Sequence, residues 1–207
     1  MKKTFLIVAV AFISTINLFA QQDSTINLSA QKDYSNKFDL KVGSGFGFMG
    51  WGDVIVVCFE NEFNYKINKY FTFSAGFGIG RSIRWSSWDG SEDWKHHNDY
   101  LKGDVNAFIS PFRNNRRNNF RIGIGYSYIS ETIAYTSGVS YTGQPEHPNY
   151  DVRYTMDKNS SHCFNVIFED EFKITTRLMI GAKLFFTGNF GNGGELWGGL
   201  IKFGVVL

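Results

Sequence analysis

Eight stretches of this chain alternate, residue by residue, between large apolar side chains and small or charged ones. That period-two pattern restricts the fold more than any other feature. In the first, Phe38, Leu40, Val42, Phe46 and Phe48 oppose Asp39, Lys41, Gly43, Gly45 and Gly47. In the second, Ile55, Val57, Phe59, Phe63 and Tyr65 oppose Cys58, Glu60, Glu62, Asn64 and Lys66. The third sets Phe71, Phe73, Ala75, Phe77 and Ile79 against Thr72, Ser74, Gly76, Gly78 and Gly80, and the fourth Leu101, Val105, Ala107 and Ile109 against Lys102, Asp104, Asn106 and Ser110. The fifth sets Phe120, Ile122, Ile124, Tyr126 and Tyr128 against Arg121, Gly123, Gly125 and Ser127, and the sixth Phe164, Val166, Phe168 and Phe172 against Asn165, Glu169, Glu171 and Lys173. The seventh sets Leu178, Ile180, Ala182, Leu184 and Phe186 against Gly181 and Lys183, and the eighth Trp197, Ile201, Phe203, Val205 and Leu207 against Gly198, Leu200, Lys202 and Gly204.

Each stretch is long enough to cross a bilayer as a tilted strand, which takes about 9–11 residues. A soluble sandwich also alternates, but it buries its apolar face and needs mixed volumes there to interdigitate. Here the apolar face is almost wholly Phe, Ile, Leu, Val and Tyr. The glycines and charges share the other face, as the crowded inner wall of a small barrel requires. The chain's 21 Phe and 22 Gly against 3 Pro match that division. Beyond the N-terminus no segment reaches the roughly 18 uninterrupted apolar residues of a membrane helix. The expectation is an all-β fold: an eight-stranded antiparallel transmembrane up-and-down β-barrel, preceded by a signal peptide.

Lys2 and Lys3, the apolar run Thr4–Phe19 and the small Ala20 before Gln21 read as a signal peptide over residues 1–20, although Leu18 is larger than the cut prefers. Residues 21–36 are polar and aperiodic and read as a periplasmic lead-in, and residues 37–207 as the barrel. Removing Lys2 and Lys3 from the 21 basic side chains leaves 19 against 19 acidic ones, so no basic stripe is available for nucleic acid. Two cysteines are too few for a disulfide scaffold. By parity Cys58 and Cys163 face inward on the second and sixth strands, nearly opposite one another, and are expected to stay unbridged. Ile67–Tyr70, Arg113–Asn119 and Thr175–Thr176 are short connections. Arg84–Asn98 and Thr132–Ser161 are long and fall on the other side, with Gly50–Asp53 and Asn189–Gly194 as its short members. Short periplasmic turns alternating with external loops fit an outer-membrane barrel with both chain ends on the periplasmic side.

Taken together, Lys37 to Leu207 resembles the small outer-membrane β-barrel family, the OmpA-like and OmpX-like eight-stranded barrels. The signal peptide, the eight alternating segments and the terminal Lys202–Phe203–Gly204–Val205–Val206–Leu207 carry the likeness. That terminal run looks like the signal read by the β-barrel assembly machinery, with Leu207 where Phe is commoner. A signal peptide followed by Gln is similar in style to proteins of the Bacteroidetes. The resemblance implies contact with outer-membrane lipid and lipopolysaccharide. It implies a role in envelope structure or surface interaction through outer loops, with a porin-like narrow channel as the alternative and a lipid-modifying barrel enzyme as a distant third.

An eight-stranded barrel is just wide enough for its side chains to fill. The inward ionisable residues are Asp39, Glu60, Glu62, Asp104, Glu131, Glu169 and Glu171 against Lys41, Lys66, Lys102, Arg121, Lys173, Lys183 and Lys202, equal in number. Isolated charges there would carry a large desolvation penalty, so mutual pairing and a mostly closed lumen are expected; a charge-lined ion path is the functional alternative. Outside, Trp85, Trp88 and Trp94 in one long loop and Tyr135, Tyr141 and Tyr154 in the other are candidates for binding a surface ligand or host partner. Alternation around Tyr135, Val139 and Tyr141, and again at Val152, Tyr154 and Met156, continues the fifth and sixth strands as a hairpin tipped by residues 143–149. The G-x-G-x-x-G at Gly45–Gly50 lies inside an alternating strand rather than opening a helix, so nucleotide binding is not expected. Adjacent His96 and His97 would point to opposite sides of a strand, and His147 stands alone between Glu146 and Pro148; no metal or other cofactor is expected. Ser160, Ser161 and His162 lack a matching carboxylate, and His162 shares parity with Phe164; the chain is not read as an enzyme.

Overall fold

The computed structural model describes residues 37–50, 54–83, 97–112, 117–141, 150–190 and 196–207. They form β1 (Phe38–Met49), β2 (Val54–Lys66), β3 (Phe71–Ser82), β4 (His97–Ile109), β5 (Asn118–Tyr141), β6 (Tyr150–Lys173), β7 (Leu178–Asn189) and β8 (Leu196–Val206). Every strand pairs antiparallel with its sequence neighbours, and β1 pairs with β8, closing the barrel. Each alternating stretch of the sequence becomes one strand in the expected parity. The signal peptide of residues 1–20 and the lead-in of 21–36 lie outside the described residues.

The distribution of polarity inverts that of a soluble domain. Phe46, Phe59, Phe73, Phe77, Val105, Ile124, Ile201 and Phe203 stand exposed on the outer wall, while Arg121, Lys41, Lys183, Lys202, Glu62 and Glu169 are fully buried inside. A contiguous apolar band of this extent would aggregate in water. It is the surface that hydrocarbon solvates, and closure leaves no backbone edge unpaired within it. The inner wall needs glycine where partners crowd. A Cβ at Gly80 would collide with the Tyr100 ring, and one at Gly76 would sit 2.6 Å from Asp104 Oδ1. The G-x-G-x-x-G run lies along β1 and ends at Gly50, whose φ of 66° turns the chain toward β2.

The strands are 11 to 13 residues long, except β5 and β6 at 24 each. Their ladder runs from Asn118↔Phe172 to Tyr141↔Tyr150, with a register shift between Thr136 and Gly138. β4 stops pairing with β5 at Ala134, and β7 stops pairing with β6 at Cys163. Among the described residues, the rest of the hairpin therefore continues beyond the last rungs it shares with β4 and β7. Much of the Thr132–Ser161 connection is thus strand, as the alternation around Tyr135 and Tyr154 indicates.

Candidate functional site

The barrel has a near end, where β1 begins and β8 ends, and a far end, from which the hairpin projects. The near half of the lumen holds an ion network. Arg121 Nη2 lies 2.5 Å from Glu62 and 2.8 Å from Glu169, its Nε lies 3.3 Å from Glu171, and its Nη1 donates to Asn64 Oδ1 at 2.8 Å. The guanidinium rests on the Phe108 ring, 3.9 Å from its centroid. Lys202 lies 2.6 Å from Glu62 and 3.4 Å from Glu169. Lys183 pairs with Glu60 and, at 3.3 Å, with Glu62. Lys41 pairs with Glu171 and lies 3.2 Å from Glu169 and 3.6 Å from Asp39. Lys66 meets Asp39 at 3.0 Å, and Lys102 meets Asp104 at 3.1 Å and Glu60 at 3.7 Å. Lys173 is buried at the end of β6. Each carboxylate at the centre faces two or more cations, the arrangement in which mutual attraction can offset desolvation.

Glu131 stands apart: half-buried toward the far end of β5, it accepts from the Asn98 amide at 3.4 Å. Next to the ion network, amides and hydroxyls form a chain. Asn165 Nδ2 donates to Asn106 Oδ1 at 2.8 Å, Ser127 and Thr187 donate to Asn165 Oδ1 at 2.7 and 3.0 Å, and Asn106 Nδ2 donates to Asp104 at 2.5 Å.

The far half of the lumen is mostly apolar. Met49, Val56, Cys58, Tyr100, Ile129, Cys163, Ile167, Phe185, Leu196 and Leu200 pack there as one buried cluster. The charged face read from the sequence therefore describes only part of the interior. Ile129, Ile167 and Phe185 share the inward parity of Arg121, Glu169 and Lys183, and following that parity to the strand ends would have revealed them. Phe108, inward beneath Arg121, was legible in the same way. Cys58 and Cys163 are buried and unbridged.

On the outer wall, Tyr126 Oη and His162 Nδ1 share a hydrogen bond, and the Tyr128 ring lies 5.4 Å from the imidazole. His162 thus faces outward between two tyrosines. Phe164 meets Phe186 and Phe190 in tilted ring contacts, with centroids 5.9 and 5.7 Å away, extending an aromatic girdle toward the far end. Trp85, Trp88, Trp94, His96 and His147 lie outside the described residues. Tyr135, Tyr141 and Tyr154 sit in the projecting ladder, opposite Thr155, Tyr150 and Thr136. Among the described residues no group of three or more His, Cys, Asp or Glu has the geometry to hold a metal ion.

No protein-family model and no curated protein matches the chain. Solved structures do. Neisserial surface protein A aligns at 10% identity and a TM-score of 0.58, covering 82% of this chain and 97% of that one. Ail, the attachment invasion locus protein of Yersinia pestis, aligns at 9% identity and 0.53, with the same coverage. The outer membrane protein OprG of Pseudomonas aeruginosa aligns at 10% and 0.52, covering 84% and 98%. Ail has also been solved with the heparin analogue sucrose octasulfate. The chain has the fold of the small eight-stranded outer-membrane barrels.

Proposed function

We propose that this chain is an exported bacterial outer-membrane barrel whose lumen is closed, and whose working surface is the far end: the β5–β6 hairpin and the outer connections. The observation that carries the reading is the double filling of the lumen. An ion network occupies the near half and an apolar layer the far half. An apolar constriction excludes ions by dewetting even where a charged path lies beneath it. The projecting ladder then becomes the part available for contact, since strands extending beyond a sheet are a recurrent mode of recognition. The neighbours above, an attachment invasion locus protein and a surface protein, agree with a surface or envelope role. The sulfated ligand of the Ail complex does not carry over. The connections of the far end (50–53, 83–96, 142–149 and 190–195) hold six Asp and Glu against two Lys and Arg, a poor match for a polyanion.

Single-channel recording of the reconstituted protein tests the lumen: a silent bilayer is expected once folding is verified by heat-modifiable electrophoretic mobility. Steady, salt-dependent openings would establish the narrow-channel alternative instead. For the surface role, cells displaying the intact chain are compared with cells displaying one lacking residues 143–149 for adhesion to a serum-coated surface. Reduced adhesion is expected, and equal adhesion removes the hairpin from the reading.

A further inference from the structure

We propose that the near rim of the barrel is a binding ring for anionic phospholipid headgroups, a proposal that rests on the outer-membrane reading above. Lys37, Lys69, Arg117 and Arg177 stand at four corners of this end: ahead of β1, in the β2–β3 turn, ahead of β5 and in the β6–β7 turn. All four are exposed. Their backbones are pinned at the last rungs of the barrel. The Lys37 carbonyl accepts from Lys66 N at 2.8 Å, the Arg117 carbonyl from Lys173 N at 2.8 Å, and the Arg177 carbonyl from Val206 N at 2.7 Å. Lys69 sits in a turn fixed by Asn68 Oδ1, which accepts from Tyr70 N at 2.8 Å and Phe71 N at 2.9 Å.

Each cation neighbours an apolar side chain on the outer wall. Lys37 precedes Phe38, Lys69 precedes Tyr70 and Phe71, and Arg177 precedes Leu178. The Arg117 guanidinium lies over the Phe172 ring, 4.7 Å from its centroid. These five apolar residues are 40–49% exposed. No Asp or Glu occurs in 67–70, 110–117 or 174–177, and these turns add Arg113 and Arg116 in sequence. Among the described residues none of the four cations is ion-paired. Asp170, the outward carboxylate one step along β6 from Phe172, leaves the ring net positive. The far rim differs: its exposed Arg81 is matched by Asp99 at 3.5 Å.

A ring of cations invites anions; the apolar partner beside each one narrows the choice to an anion that carries acyl chains. Long basic side chains keep their heads at the interface while their stems lie along apolar surface, and guanidinium groups grip phosphate with paired hydrogen bonds. A soluble acidic protein would leave the aromatic and aliphatic half of each corner unused.

The test uses the full chain, expressed in a Gram-negative host and purified folded from its outer membrane. It is reconstituted in phosphatidylcholine with a trace of spin-labelled phosphatidylglycerol or spin-labelled phosphatidylcholine. Electron spin resonance then measures the lipid immobilised at the barrel wall. The phosphatidylglycerol label is expected to associate about fivefold more strongly than the phosphatidylcholine label at low salt, with the preference collapsing at about 1 M salt. The variant K37Q/K69Q/R117Q/R177Q should show almost none. Equal association of the two labels with the wild-type barrel, or an undiminished preference in the folded variant, overturns the proposal and leaves the outer-membrane reading standing. Recovery of the chain in the soluble fraction, or failure to fold in any bilayer, overturns that reading and this one with it.

Discussion

Replacing Arg121 by Met keeps much of the side chain's length and its packing on Phe108, but removes the charge that meets Glu62, Glu169 and Glu171 within 3.3 Å and the donor to Asn64. Removing one partner from a buried pair costs about 3–5 kcal/mol, because the other charge stays behind. Here the stranded carboxylates are not left alone: Glu62 retains Lys202 at 2.6 Å and Glu169 retains Lys41 at 3.2 Å. The lower figure, about 3 kcal/mol, is therefore expected. With a urea dependence of about 2 kcal/mol per molar, the unfolding midpoint in vesicles falls by about 1.5 M. The internal control is Arg81→Met, which breaks the exposed Arg81–Asp99 pair. Surface pairs contribute about 0–1 kcal/mol, so its midpoint moves by less than about 0.5 M. Tryptophan fluorescence or circular dichroism under reversible conditions reads both. Adding Glu169→Gln to Arg121→Met should cost less than the sum of the two single changes, since one unpaired charge is removed along with its former partner. If Arg121→Met moves the midpoint no further than Arg81→Met, the ion network does not support the barrel and does not hold the near half of the lumen closed.

Two further outcomes follow from the packing. A Cβ at Gly45 would collide with the Gly199 carbonyl across the β1–β8 seam, whereas one at Gly103 on β4 meets nothing within 4 Å. Gly45→Ala should destabilise the barrel by about 1–3 kcal/mol in the same urea assay and Gly103→Ala by less than about 0.5 kcal/mol; the opposite ranking would refute the register. Cys58 and Cys163 are 2% and 1% exposed inside the far half of the lumen. A polyethylene-glycol maleimide should label neither in the folded barrel and both after unfolding, read as a gel shift. Rapid labelling without denaturant would mean that the apolar layer does not seal.

The sequence disclosed strand number, parity and the inward charges because a barrel wall sorts residues by a strict two-residue period, so Phe46 and Gly45 announce opposite faces. Which charges meet was not legible. Arg121 and Glu62 are 59 positions apart and Lys202 and Glu62 are 140 apart, and their contact depends on the stagger of the whole barrel. The apolar layer was obscured because Ile167 and Phe185 look like lipid-facing residues unless parity is carried across them; Cys58, Cys163 and Leu200 were its members already read as inward. The hairpin was readable from alternation around Tyr135 and Tyr154. The near-rim cations were hidden in turns, where no period gives them a face.

The arrangement of ion partners also has a bearing on how the chain reaches its final state. Across the seam where the first and last strands meet, Lys41 on β1 pairs with Glu169 and Glu171 on β6, and Lys202 on β8 pairs with Glu62 on β2. A sheet inserted but not yet joined at that seam would hold these lysines apart from their carboxylates, inside a medium with no water to stand in for them. Intermediates with an open seam are therefore high in energy, and the last two strands gain their ion partners and their ladder in one step. Assembly of this barrel should proceed as a single cooperative transition, with seam zippering and charge neutralisation rising together rather than in sequence.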